Sequence, residues 1–222
     1  MLTRSQLVSA PALPPIGLDP VKTFLRVDGS EEDALITSLI NAATKRIEAE
    51  IDQKLVTQTW SVFLDCFPCK PKQNRFDDWF EGTRDGALSS FFEAIPVIKM
   101  PFGPLQSVIS FTTYDDSGGE YSFSSSNYYV DTVTPNDPAI ALKIGQTWPT
   151  TVLRFKNGIE IRGVFGYGDG YTSSNSTGDV PVDLQEAVKQ MVGIMYEHRG
   201  DEMPKIPSTA SMLLEPYRKV KV

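Results

Sequence analysis

The spacing of apolar residues changes from helical to strand-like near Leu55, and that change limits what the chain can fold into. Before it, Leu35, Ile36, Leu39, Ile40, Ala43, Ile47 and Ile51 recur at three- and four-residue steps, which lays one apolar stripe along a helix. From Glu31 to Asp52 that helix spans about 33 Å. Ser30 is placed as its N-cap, with Glu31, Glu32 and Asp33 in the first turn, where the helix dipole favours negative charge. Thr37, Asn41, Lys45, Glu48 and Asp52 face water or a polar partner. After Leu55 the period falls to two. Thr57, Thr59 and Ser61 alternate with Gln58, Trp60 and Val62, and the run continues through Asp65 as a strand.

The same reasoning extends in both directions. Asp19 or Pro20 opens a short helix to about Val27, with Phe24 and Leu25 facing inward, and Asp28-Gly29-Ser30 is a turn. Further strands are expected at 94–99, 106–114, 120–123, 128–131, 140–142 and 158–165, separated by Gly-, Pro- and Asn-rich turns, which reads as a small antiparallel sheet or sandwich. Residues 166–178 read as a flexible connection. Pro181 and Asp183 then start a second amphipathic helix carrying Leu184, Ala187, Val188, Met191, Val192 and Met195, ending near Arg199-Gly200. A short third segment covers 209–217.

The expected fold class is α+β. A small helical bundle is formed by 18–56 and 180–217, and a large antiparallel β insertion, 57–179, lies between them. Its core is expected to hold Phe24, Leu25, Leu35, Ile36, Leu39, Ile40, Ile47, Leu184, Val188, Met191, Val192 and Met195. Residues 1–17, with Pro11, Pro14 and Pro15, form an extended arm that orders on a partner, and 218–222 form a basic alternating tail.

Composition removes most chemistry. One histidine, His198, excludes His-rich metal clusters, and two cysteines are no disulfide framework for 222 residues. Cys66-Phe67-Pro68-Cys69 has redox-motif spelling, but Lys70-Pro71-Lys72 follows it in place of a helix start. Gly166-Tyr167-Gly168-Asp169-Gly170 lacks the Gly-Lys-Ser/Thr ending of a phosphate loop. Asp77-Asp78 and Asp115-Asp116 read as solvated turn residues. The net charge of −7, of which 57–179 carries −5, opposes sequence-independent gripping of nucleic acid. No apolar run approaches the ~18 residues that span a bilayer, and Met1–Ala10 lacks a signal-peptide core, so neither a transmembrane nor a classically secreted protein is expected; no enzyme is expected either, because none of these motifs adds up to an active site.

Several motifs, in order, carry a resemblance. They are Leu18-Asp19-Pro20-Val21-Lys22-Thr23-Phe24-Leu25-Arg26-Val27-Asp28, Ala42-Ala43-Thr44-Lys45-Arg46-Ile47-Glu48, Leu55-Val56-Thr57-Gln58-Thr59-Trp60 and Gly145-Gln146-Thr147-Trp148-Pro149. Val180-Pro181-Val182-Asp183-Leu184-Gln185-Glu186-Ala187, Met195-Tyr196-Glu197-His198-Arg199 and Leu213-Leu214-Glu215-Pro216-Tyr217-Arg218 follow. Together they resemble the head–tail connector (adaptor, or head-completion) proteins of tailed bacteriophages. The chain departs from that pattern in a longer arm, an enlarged 70–92 stretch and extra residues at 173–178.

The resemblance implies a structural protein of the virion neck, assembled in the host cytoplasm as a ring of typically twelve copies beneath the portal. It would extend the DNA channel, help to retain the genome and offer a platform to a stopper or tail-side protein. It implies no cofactor and no metal, and packaged DNA passing through without specific binding. Its portal-docking candidates are Leu213, Leu214, Pro216, Tyr217 and Arg218, extended by Lys219, Val220, Lys221 and Val222, while the helix at 31–52 serves the bundle and the contacts between subunits. The rival reading is a β-sandwich module for carbohydrate or a host surface, with Trp79, Trp148 and Tyr171 as stacking platforms.

Overall fold

The computed structural model describes residues 3–68, 97–172, 180–198 and 205–219. Within them the chain is α+β: helices α1 (Leu18–Leu25) and α2 (Asp33–Ile51) precede the strands, and α3 (Val182–Glu197) and α4 (Ser208–Leu214) follow them. The stripe on α2 is the backbone of the first core. Ile36, Ile40, Ala43, Ile47 and Ile51 are buried against Leu184, Ala187, Val188, Met191 and Val192 of α3, with Val21, Ala210 and Leu214 closing the ends. Leu25, Leu39 and Met195 pack half-buried on this core, and Leu35 is half-buried on its flank.

Two expectations fail here for tertiary reasons. Phe24 is 46% exposed, because α1 buries Val21 and seats Leu18 and Leu25 on the core, and a residue one step from Leu25 is turned by about 100° around the axis. Ser30 is not the N-cap of α2. Glu32 holds that position without a side-chain cap bond, and Ser30 only accepts the Asp33 N–H through its carbonyl, at 3.3 Å. The first-turn acids are instead taken by distant partners: Lys22 Nζ donates to Asp33 at 2.6 Å, and the Tyr196 hydroxyl donates to Glu32.

The β region comprises β1 (Thr3–Ser9), β2 (Gln58–Leu64), β3 (Val97–Lys99), β4 (Leu105–Tyr114), β5 (Glu120–Ser122), β6 (Tyr128–Asp131), β7 (Ala139–Leu142) and β8 (Ile159–Phe165). A five-stranded sheet has the order β1-β2-β8-β4-β5 and a three-stranded sheet the order β3-β7-β6, with every neighbouring pair antiparallel. Alternation along β8 sends Ile159, Ile161 and Phe165 to a second core shared with Val62, Leu64, Phe111, Ile98, Met100, Tyr128 and Ile140. The N-terminal arm is thus extended but not loose. Thr3 to Leu7 run along β2 from Leu64 to Trp60, forming a sheet edge whose side chains, apart from Arg4, are exposed.

Residues 166–172 are also less free than expected. Gly166 has φ 127°, and a Cβ there would meet the Val56 carbonyl carbon at 2.4 Å, so only glycine lets the chain leave β8 so close to the backbone leading into β2. Thr57 N–H donates to Gly168 O and Tyr171 N–H to Pro14 O, at 2.8 and 2.9 Å. The connection is pinned to both the helix–strand junction and the N-terminal segment.

The two cores meet at a buried carboxylate. Glu48, on the polar side of α2, accepts from Leu55 N–H at 3.0 Å and Gln58 Nε2 at 3.1 Å, with Lys54 Nζ at 3.4 Å. Lys54 in turn lies 4.7 Å over the Trp60 ring and 5.0 Å over Phe102, while Trp60 Nε1 donates to Gln58 at 2.9 Å. Glu48→Ala leaves the Leu55 N–H and the Gln58 amide without their acceptor and is expected to cost about 2–3 kcal/mol in urea unfolding, with Glu48→Gln costing less because an acceptor remains.

On the outer face of the sheet, Glu160 accepts from Tyr114 and Ser61 at 2.7 Å each and from Arg162 at 3.2 Å. Burial raises its pKa, but the bonds from Tyr114 and Ser61 and the Arg162 charge outweigh burial, and the net shift is down from 4.5. The same pair pushes the Tyr114 hydroxyl up to about 12, through its bond to Glu160 and through burial. A carboxyl depressed by folding stabilises fully above its unfolded value and loses that contribution as pH falls through the folded one. Acid unfolding followed by circular dichroism below pH 4.5 is therefore expected to be shallower in Glu160→Gln than in the wild type.

Candidate functional site

The C-terminal segment begins where Pro207, extended at φ −53° and ψ 145°, accepts the Ser211 N–H and starts α4. Ala210 and Leu214, four residues apart, are buried against the bundle, and Leu213 packs half-buried beside them. Leu214 is therefore a core residue in this chain. Met212 points the other way and is 76% exposed. Pro216 ends the α-helix, and Glu215–Tyr217 tighten into a 3₁₀ turn before Arg218 extends.

This turn is fastened at four places along the chain. Gln53, one residue past the left-handed Asp52 that caps α2, donates from Nε2 to Tyr217 O and to Asn136 Oδ1, both at 2.6 Å, and accepts from the Tyr167 hydroxyl. Asn136 Nδ2 donates to Pro216 O at 3.0 Å. The Tyr217 ring stands edge-on to Tyr167 at 6.2 Å, and its hydroxyl reaches Asp183 at 3.4 Å. Burial, then the Asp183 charge, raises the Tyr217 pKa, and burial raises Tyr167 further.

The basic residues turn back onto the body. Arg218 pairs with Glu50 at 2.9 Å and Glu215 at 3.3 Å. Lys219 donates to Met100 O at 2.8 Å and lies 3.5 Å from Asp137, whose other oxygen takes Lys99 at 2.7 Å. Lys99's hydrogen bond, against an opposing burial effect, holds the Asp137 carboxyl below its usual range, with help from the Lys99 and Lys219 charges. Of the docking candidates, then, Pro216 is exposed, Leu213, Tyr217, Arg218 and Lys219 are half-buried, and Leu214 is inside; Val220, Lys221 and Val222 lie outside the described residues.

A groove of about 490 Å³ opens beside the segment, lined by Phe24, Leu25, Gly193, Ile194 and Pro207 with Glu197 at its rim. Gly193 allows it: a Cβ there would sit 3.1 Å from the Phe24 ring. The exposed Phe24 is thus a wall of this groove.

The other candidates fall into structural places. Trp148 is half-buried, stacked on Phe67 at 5.1 Å and tilted against Phe111 and Phe123, so it is no stacking platform. Tyr171 is half-buried, and Trp79, Asp77, Asp78 and Cys69 lie outside the described residues. Cys66 is exposed after β2, and His198 is exposed at the end of α3, where its N–H donates to Ile194 O. Asp115 staples its turn, accepting from Ser117 and Gly119 N–H and from the Tyr121 hydroxyl. Among the described residues no group of three His, Cys, Asp or Glu could hold a metal ion, and no helix is long and apolar enough to cross a membrane.

Gln53, Asn136 and Asp137 were not singled out by the sequence, because their partners lie 80 to 164 residues away or, for Asp137, at Lys99 and Lys219. Gln53→Ala is expected to speed amide hydrogen exchange at Arg218 while α2 stays protected, since it removes the bond to Tyr217 O and leaves the Tyr167 hydroxyl unpartnered.

Comparison with known proteins follows the same outline. The family model of "Phage gp6-like head-tail connector protein" matches residues 15–78, which bears out the resemblance over α1, α2 and β2. No curated protein sequence matches the chain. Solved structures share its fold along nearly the whole length. A chain from the neck of an empty GTA particle computed with C6 symmetry has TM-score 0.72 at 20% identity, covering 99% of this chain and 97% of that one. A chain from the virion of a native gene transfer agent (GTA) particle has TM-score 0.71 at 21% identity, covering 98% and 96%. A third, from the neck of a native GTA particle computed with C12 symmetry, has TM-score 0.65 at 21% identity, covering 98% and 97%.

Proposed function

We propose that this chain is a structural head–tail connector of a phage-like particle, placed in the virion neck and making no covalent chemistry of its own. One coincidence carries the reading. Connector-family residues occupy 15–78, and the chain as a whole, not that segment alone, has the fold of chains from GTA necks and virions. A ring of twelve copies is the assembly we expect, in keeping with the C12 symmetry used for one of those necks.

In this reading the C-terminal segment docks on the portal. Leu213, Pro216, Tyr217, Arg218 and Lys219, followed by Val220, Lys221 and Val222, form the contact, with Leu214 supporting it from inside the bundle. The fold-back of Arg218 and Lys219 onto Glu50 and Asp137 gives the segment a defined shape before it meets a partner. The acidic stretch 57–179 suits a wall past which DNA must slide, because few cations are offered for counterion release. A stopper or other tail-side protein attaches on the far side of the ring.

The carbohydrate-module alternative loses support with Trp148 half-buried and its ring packed against the second core. Electron microscopy of the protein mixed with portal-bearing heads tests the proposal: a ring beneath the portal is expected, and its absence would overturn the connector role. Deleting Arg218–Val222 is expected to leave the thermal midpoint within a few degrees while reducing ring occupancy on heads about tenfold or more.

A further inference from the structure

We propose that the loop joining β6 to β7, residues 131–137, is the second half of the surface that meets the portal, with Val133 as its apolar contact and an uncharged, apolar partner face against it. The inference rests on the docking reading of the C-terminal segment and widens that site.

The loop and the segment form one body. Asn136 Nδ2 donates to Pro216 O at 3.0 Å, and Gln53 Nε2 is shared between Asn136 Oδ1 and Tyr217 O at 2.6 Å each. Lys219 Nζ lies 3.5 Å from Asp137 Oδ1, and Asp137 Oδ2 accepts from Lys99 at 2.7 Å. The loop is also closed on itself. Asp131 Oδ1 accepts from Val133 N–H at 2.9 Å and from Thr134 N–H at 3.3 Å, and Thr134 O accepts from Asp137 N–H at 3.3 Å. Its base is seated by Met100 N–H on Pro138 O at 2.9 Å, and by Gly103, where a Cβ would lie 1.9 Å from Pro135 O. Thr132, Val133, Thr134 and Pro135 remain exposed, Val133 to 88%.

Area makes the loop part of the site. A stable contact buries about 800 Å² on each partner, which as a disc is roughly 16 Å in radius and draws on about 20–30 residues. The segment from Leu213 to Val222 is smaller than that, and Leu214 is inside the bundle. A partner centred on Pro216 and Tyr217 therefore covers their neighbours, and the loop is a neighbour bonded to them directly. Val133 stands three residues from Asn136, at most about 11 Å along an extended chain, and the Thr134–Asp137 turn folds that distance back.

Charge does not select the partner here. Arg218 is held by Glu50 and Glu215, Lys219 and Lys99 share Asp137, Asp131 accepts from the loop's own amides, and Asp183 takes the Tyr217 hydroxyl. The groups the loop presents, two threonines, a valine and a proline, are neutral. A tip already fixed in shape loses little freedom on binding, so the valine suits a dry apolar contact.

The test uses assembled particles carrying benzoylphenylalanine at position 133 or, separately, at position 222. Irradiation is expected to join both to the portal, identified by mass spectrometry. A portal cross-link from 222 with none from 133, or one from 133 only to another copy or to a different polypeptide, overturns the loop's role and leaves the segment's docking standing. No portal cross-link from either position, with rings present on the heads, overturns the docking reading itself. In parallel, Val133→Asp is expected to keep its thermal midpoint, the site being exposed, while ring occupancy on portal-bearing heads falls about tenfold or more; Val133→Ile should retain most of it. Wild-type occupancy in Val133→Asp overturns the inference.

Discussion

The rest of the structure depends on one carboxylate kept out of water. Glu48 lies on α2 with a polar ring of partners, Leu55 N–H, Gln58 and Lys54, all drawn from the ten residues that carry the chain from helix into strand. Without it, α2 would still form from its stripe and β2 from its alternation, but the junction between them would lose the one side-chain acceptor that Leu55, Gln58 and Lys54 share. An ion buried this deeply is costly to desolvate, and removing one partner leaves the others unsatisfied. That all-or-nothing character suits a joint better than further apolar contact, which tolerates sliding.

Gln53 extends the same logic one step outward. Its amide spends both its donor and acceptor sides on Asn136, Tyr217 and Tyr167. The helical bundle, the smaller sheet and the C-terminal turn therefore share one small polar centre, though they lie far apart in sequence. For a chain proposed to stand between two larger assemblies, fixed relative placement of its parts matters more than a deep pocket, and the described residues invest their polar side chains accordingly.

What the sequence made legible was periodic. The stripe from Ile36 to Ile51, the matching residues of α3 and the alternation along β2 and β8 were readable because each repeats a geometry the backbone imposes. The misses came from single long-range decisions. Ser30 lost its capping role because Lys22 and Tyr196 claimed the acids beside it. Phe24 faces a groove because Gly193 made room there. Trp148 is half-buried against the second core because Phe67, Phe111 and Phe123 gather around it. The C-terminal segment was proposed for docking on family resemblance alone, and that Leu214 belongs to the core followed only from its four-residue step to Ala210 against a helix that the local sequence does not name.

The run of β1 along β2, and of β2 along β8, also decides how the molecule answers mechanical load. A pull along the strands strains all the rungs of these ladders together, in shear, and the extension is small until many yield at once. A pull across the free edge would instead peel β1 away rung by rung, beginning at the irregular pairing near Ser9. The chain is stiff lengthwise and weak sideways.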